Sequence, residues 1–236
     1  MKKHFNRRPR RGQTDRPVEL IGRVAACARS FDPRGLDILD VGASTGWYER
    51  YATDHGCRSI TAIDPDAKGL ETGRKVAPEA KFVAGSATAL PFKDGTFDAA
   101  AFFDVIEHLP KGTEPAALRE IHRVLKPGGL LSLSTPNRRL IVRLADPAWY
   151  FGHRHYSASQ LHQLLGDVGF TDVRCVARGG VAELIRIPTY YTSKWIFHDR
   201  LPGVSWLSRR ADTEYRKNGF TTNYVLAKKR LNRTVH

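Results

Sequence analysis

The stretch Ile38-Leu-Asp-Val-Gly-Ala-Ser-Thr-Gly-Trp47, followed by Ile60-Thr-Ala-Ile-Asp64, decides the fold. An apolar run that ends in a small-residue loop reads as a buried parallel strand turning sharply into a helix, where open backbone N–H groups face a ligand. The second apolar run ends on an acid. Asp64 follows Gly42 by 22 residues, the separation at which a neighbouring parallel strand brings a carboxylate to the two hydroxyls of a nucleoside ribose. Together the two segments imply a nucleoside-containing ligand at the carboxyl edge of a parallel sheet.

A dinucleotide fingerprint requires Gly-x-Gly-x-x-Gly, whereas this loop offers Gly42-x-Ser44-x-Gly46 with Trp47 in the last place. The order of acid and small residues, Asp40, Gly42, Ser44, Gly46, instead resembles the first motif of the class I S-adenosylmethionine-dependent methyltransferases, with Ser44 in place of the middle glycine. Three further segments strengthen it: Ala89-Leu-Pro-Phe-Lys-Asp-Gly-Thr-Phe-Asp98, Asp104-Val-Ile-Glu-His108-Leu109, and Leu118-Arg-Glu-Ile-His-Arg-Val-Leu-Lys-Pro-Gly-Gly129. In combination they resemble the small-molecule branch of that family, which includes ubiquinone-biosynthesis enzymes, over roughly residues 36 to 176. The resemblance implies an α/β fold, a Rossmann-like seven-stranded mostly parallel sheet with helices on both faces and an antiparallel last strand. It implies S-adenosylmethionine as cofactor and S-adenosylhomocysteine as product. The cofactor residues carried over are Asp40, Gly42, Ala43, Ser44, Gly46, Asp64, Pro65, Ser86, Ala87 and Asp104, with Ser86 and Ala87 near the adenine.

Patterning along the chain predicts an amphipathic helix over Pro17–Arg29 and strands at Asp37–Val41, Ser59–Ile63, Lys81–Ala84, Phe97–Phe103 and Leu130–Ser134, with helical stretches between them. A helix over Ser157–Val168 starts on serine, a good N-cap. The last two strands fall at Val173–Ala177 and Thr222–Lys228. Residues 1–16 read as a basic, disordered tail, and 17–236 as the catalytic domain. Between the last strands an insertion of about 40 residues, 178–219, mixes Trp195, Trp206 and Tyr190 with basic residues. It reads as a cap or substrate lid, with membrane contact and an oligomer interface as alternatives.

The net charge is +14, yet residues 1–16 hold seven Lys/Arg against one acid and residues 228–236 hold four against none, which leaves +4 for the rest. Solvated basic ends on an ordinary enzyme are the expectation, and recruitment to lipid or RNA is the alternative. The three cysteines, Cys27, Cys57 and Cys175, are far apart and odd in number, which fits reduced thiols of the cytoplasm. The expected location is cytoplasmic, with peripheral membrane contact as the variant reading.

In methyl transfer the protein has to align the reactants and remove one proton from the acceptor, so a general base is the part to seek. His108, just past the fourth strand, and His155, in the cluster His153-Arg-His-Tyr156, are the two candidates. Asp104 and Glu107 beside His108 resemble the acids of metal-dependent ubiquinone-pathway enzymes, but Asp104 is shorter than the glutamate that pattern has, and no metal ligand is assigned. The segment Asp104-Val-Ile-Glu lacks the tetrad of adenine-N6 enzymes, and no cysteine lies near the predicted site as cytosine-C5 enzymes require. The sequence thus reads as a methyltransferase for a small or lipid-linked acceptor, most simply at oxygen. An RNA methyltransferase and a non-catalytic cofactor-binding regulator stand as alternatives.

Overall fold

The computed structural model describes residues 20, 22–195 and 204–231; the expected basic tail, residues 1–16, lies outside them, as do Ile196, Phe197 and Leu201 of the insertion. Seven strands, β1 (Asp37–Val41), β2 (Ser59–Asp64), β3 (Lys81–Ala84), β4 (Phe97–Phe103), β5 (Leu125–Pro136), β6 (Phe170–Arg178) and β7 (Thr222–Lys229), form one sheet in the order β3-β2-β1-β4-β5-β7-β6. All neighbouring pairs from β3 to β5 are parallel, while β7 runs antiparallel to both β5 and β6. The seven-stranded sheet with an antiparallel last strand is the architecture expected from the sequence. The strands bounded most sharply by their apolar runs, β1, β3 and β4, begin and end where patterning put them. β5 starts five residues earlier than expected, because Leu125 pairs with Phe97 across an irregularity in the register before Leu130 meets Ala99.

Alternation along the strands divides the core into two layers. Leu39, Val41, Phe102, Leu131 and Leu133 pack beneath α4 (Glu114–Val124) and α6 (Ala158–Asp167). Ile38, Ala99, Ala101 and Phe103 point the other way, toward α1 (Gly22–Ala28) and α2 (Trp47–Asp54). α3 (Ala67–Val76) covers the β2–β3 end, with Leu70 and Phe82 in a third cluster. α6 is closed by a capping box: Ser157 accepts from Gln160 N, and the Gln160 side chain accepts from Ser157 N.

After β5, the chain forms α5 (Leu140–Ala145) and a short 3-10 helix at Pro147–Phe151. Among its described residues the insertion holds two helices, α7 (Val181–Trp195) and α8 (Val204–Glu214), packed on each other, with α7 also against α5 and α8 against α1. Glu214 at the end of α8 accepts from the backbone N–H groups of Gly180, Ala182 and Glu183, which supplies acceptors for the open donors at the start of α7. The helices therefore connect the end of β6 to the start of β7, on the edge of the sheet where β5 ends.

Candidate active site

The strand order reverses between β1 and β4, and the crevice outside their carboxyl ends is where open α/β sheets bind ligands. Gly42 opens the loop there at φ 90°, where a Cβ would stand 2.2 Å from Val105 Cγ2. Gly46 ends it at φ 84°, and a Cβ would approach Gly73 Cα to 2.7 Å. Glycine is the residue that fits both positions. Ser44, in the place of the middle glycine, takes the left-handed conformation at φ 51°, a strain of about 1 kcal/mol or more. Its N–H donates to Asp64 Oδ2 at 3.2 Å, and Asp66 N donates to Asp64 Oδ1 at 2.7 Å. One carboxylate thus fastens the Gly42–Gly46 loop to the start of α3.

Beside this loop lies a pair of buried acids. Asp40 on β1 and Glu49 on α2 are almost without solvent contact, and both Glu49 oxygens are sealed without a hydrogen-bond partner. Burial pushes the Asp40 carboxyl up to about 7, with the Asp64 charge adding to it; burial and the Asp40 charge push Glu49 well up. No salt bridge reaches either acid among the described residues, so a ligand carrying positive charge would favour their ionised forms. Sequence reasoning named Asp40 but missed Glu49. Its signal was an acid on the face of α2 where Tyr48 and Ala52 pack inward.

Of the other carried-over residues, Ala43 is buried in the loop, Pro65 is exposed after β2, and Ser86 bonds Thr88 Oγ1 at 2.9 Å beside buried Ala87. Asp104 ends β4 in the left-handed region at φ 56°. Its carboxylate accepts from Arg23 of α1 and from Ser134 Oγ at 2.8 Å. Arg23, within the helix expected over Pro17–Arg29, is a second residue that sequence reasoning missed.

A second cluster forms where the 3-10 helix Ile106–His108 meets the loop before α6. Arg154 joins them, donating to Glu114 and to the carbonyls of Ile106 and Leu109. His108 is exposed, its ring 4.6 Å from that of His153. Glu107 is buried, accepts from Thr135 Oγ1 at 3.0 Å, and is pushed up to about 8 by burial and the Asp104 charge. His155 is withdrawn from solvent, with Nε2 2.9 Å from Asp146 Oδ2 and Nδ1 3.1 Å from Asn137 O. Both nitrogens face oxygens, so both donate when the ring is protonated.

The organising group is Asp146, which the sequence did not bring forward. Its Oδ2 stands 2.8 Å from His153 Nδ1 as well as 2.9 Å from His155 Nε2, and its Oδ1 caps Ala148 N. Burial alone raises its pKa, but hydrogen bonds from both histidines outweigh that and hold the carboxyl well below the usual carboxylate range. His153 Nε2 is left buried and without a hydrogen-bond partner, 3.9 Å from Glu107 Oε1. Arg23, Val142, Asp146, His153, His155 and Ile187 line a cavity of ≈ 40 Å³ at this point, room for a water or two and no more. Among the described residues, Glu107, His108 and His153, and Asp146, His153 and His155, are the groups whose atoms are close enough to share a metal ion. The sequence signal for Asp146 was available: an Asp-Pro before an aromatic run, seven residues from His153.

A methyltransferase domain family matches residues 39–133. A probable S-adenosylmethionine-dependent methyltransferase of Mycobacterium tuberculosis is 35% identical over 141 residues, 58% of this chain and 49% of the relative. Another from Mycolicibacterium smegmatis is 33% identical over 154 residues, 64% of this chain and 59% of the relative. The chain spans about half the length of the curated relatives it matches. Among solved structures, the [4+2]-cyclase SpnF superposes with a TM-score of 0.62 at 24% identity, covering 88% of this chain and 80% of its own. That likeness speaks for the fold alone, and a cyclase on it is a reminder that chemistry resides in sites rather than folds. Domain match and relatives thus liken this part of the chain to S-adenosylmethionine-dependent methyltransferases, and the solved neighbour shares the fold.

Proposed function

We propose that this chain methylates a hydroxyl of a small or lipid-linked acceptor, with His153 as general base and Asp146 as the group that orients it. The single observation that carries the reading is the Asp146–His153 pair beside the cavity. The carboxylate holds the Nδ1 proton, so the neutral ring keeps its lone pair on Nε2, the nitrogen without a partner. A carboxylate that fixes the tautomer and steadies the ring once protonated is the arrangement that general bases use. When bound, the cofactor supplies a methyl group already activated by its sulfonium. Asp64 would accept from the ribose hydroxyls, Gly42, Ala43, Ser44 and Gly46 would line the amino-acid end, and the Asp40–Glu49 pair would offset the cofactor's positive charge. Pro65, Ser86 and Ala87 lie on the adenine side in this reading. Asp104, held by Arg23, then borders the acceptor side, and closure of α5 and α7 over the cavity excludes water from the proton transfer.

This reading moves the base from the two sequence candidates. His155 has both nitrogens occupied and holds Asp146 in place, so it acts as a positioning residue. His108 packs against His153 and stays within reach of the same acceptor. The test is a methyl-transfer screen over metabolite, lipid and RNA extracts with labelled cofactor, followed by His153→Ala and His108→Ala on the acceptor found. His153→Ala should lower kcat by about 10² to 10⁴ with cofactor affinity unchanged. A full-rate His153→Ala enzyme, or label appearing in RNA alone, would overturn the proposal.

A further inference from the structure

We infer that the outer face of α5, the 3-10 helix Pro147–Phe151 and α7 docks on an anionic phospholipid bilayer. Five of the ten large apolar side chains exposed among the described residues fall between 140 and 151: Leu140, Ile141, Leu144, Tyr150 and Phe151. Leu140, Ile141 and Leu144 share the outward side of α5, while Val142 is turned inward and buried. Ile185, half exposed, continues the apolar surface on α7, which packs against α5. Scattered single apolar residues are ordinary on a protein surface; a contiguous group on one short segment marks an interaction site.

Charge identifies the occupant. Residues 136–152 hold Arg138, Arg139 and Arg143 and a single acid, Asp146, which is buried and held by two histidines. Arg138 and Arg139 are exposed at the start of α5, and the Arg143 guanidinium lies 4.5 Å from the Trp149 ring centroid. Leucine and aromatic side chains beside arginines, with no exposed acid, match the boundary between anionic headgroups and acyl chains. No helix among the described residues is long and apolar enough to cross a membrane, so the contact is with the surface. The same two helices wall the cavity from the other side through Val142 and Ile187. Docking would thus set a lipid-linked acceptor one helix layer away from His153. That last consequence rests on the proposed function, whereas docking does not.

The experiment is flotation of the full-length protein with phosphatidylglycerol vesicles and with phosphatidylcholine vesicles, alongside its oligomeric state in solution. The wild type should bind the anionic vesicles and release them as salt rises. Arg138→Gln/Arg139→Gln should weaken that binding about 20- to 30-fold, since each basic residue at an anionic surface contributes about fivefold. Leu140→Ser/Phe151→Ser should weaken it at least about tenfold, because two exposed apolar contacts are removed from the interface. All these positions are exposed, so thermal stability and S-adenosylmethionine binding should match the wild type. Equal vesicle binding by wild type and both variants would assign the affinity to the basic ends and overturn the inference. No binding to either vesicle, or a dimer that Leu140→Ser/Phe151→Ser dissolves, would overturn it as well. Cofactor binding lost in the wild type would instead count against the proposed function.

Discussion

Asp146→Asn isolates the group on which the second cluster turns. One carboxylate oxygen faces His153 Nδ1 at 2.8 Å and His155 Nε2 at 2.9 Å, while the other accepts from Ala148 N at 3.0 Å. An asparagine amide has one acceptor and one donor group, so either orientation places an NH₂ against donors: against Ala148 N–H in one, against the two imidazoles in the other. Two hydrogen bonds to a charged group, each contributing about 1.5 to 3 kcal/mol, are weakened or lost, and a loss of about 3 kcal/mol is expected at pH 7. For a chain of this size that lowers Tm by roughly 6 to 12 °C. The depressed carboxyl contributes stability that is fully present above the unfolded-state value near 4 and is lost as pH falls below it toward the folded-state value. Denaturant unfolding of wild type and variant, repeated from pH 7 to pH 3, should therefore show a gap that narrows at the acid end. His155→Ala added to the variant should cost less than His155→Ala alone, because both act through one network. A gap under about 1 kcal/mol at pH 7, or one unchanged at pH 3, would refute the reasoning.

Three further outcomes are expected. Asp64→Ala should weaken S-adenosylmethionine binding by about 2 to 3 kcal/mol in calorimetric titration, since it removes ribose acceptors and the tie to Ser44 N together; an unchanged dissociation constant contradicts the cofactor reading. Gly42→Ala should destroy cofactor binding, because the new Cβ meets Val105 Cγ2 at 2.2 Å, while Gly95→Ala, with open space at a similarly positive φ, should cost only about 1 kcal/mol of stability. Glu49→Gln should stabilise the cofactor-free chain above pH 7, where ionising two buried neighbouring acids is costly, and should leave little change at pH 5; a Tm difference that is the same at both values argues against a proton held there.

What the sequence by itself determined was the sheet and the crevice at the carboxyl ends of β1 and β4. Both depend on local pattern: β1 and β4 are short apolar runs, and the turn after β1 needs residues without a Cβ at Gly42 and Gly46. Asp64 followed for the same reason, because two adjacent parallel strands bring their ends to one edge. The proposed base and its partner depended on the tertiary structure. His108, His153 and His155 are indistinguishable as letters, and their roles separate only when Arg154 pins the 3-10 helix at Ile106–His108 to the loop before α6. That contact sets His155 between Asp146 and the Asn137 carbonyl and leaves His153 Nε2 without a partner. Glu49 and Arg23 were hidden likewise, as charged residues on helices whose inward faces no periodicity marks as polar. The insertion showed the same division: its composition announced an aromatic and basic surface, yet the apolar residues that stay exposed together lie mainly on α5 and the helical turn after it. Burial is a property of packed pairs of elements, and α7 and α8 cover each other and the sheet edge while the outer face of α5 has no protein against it among the described residues.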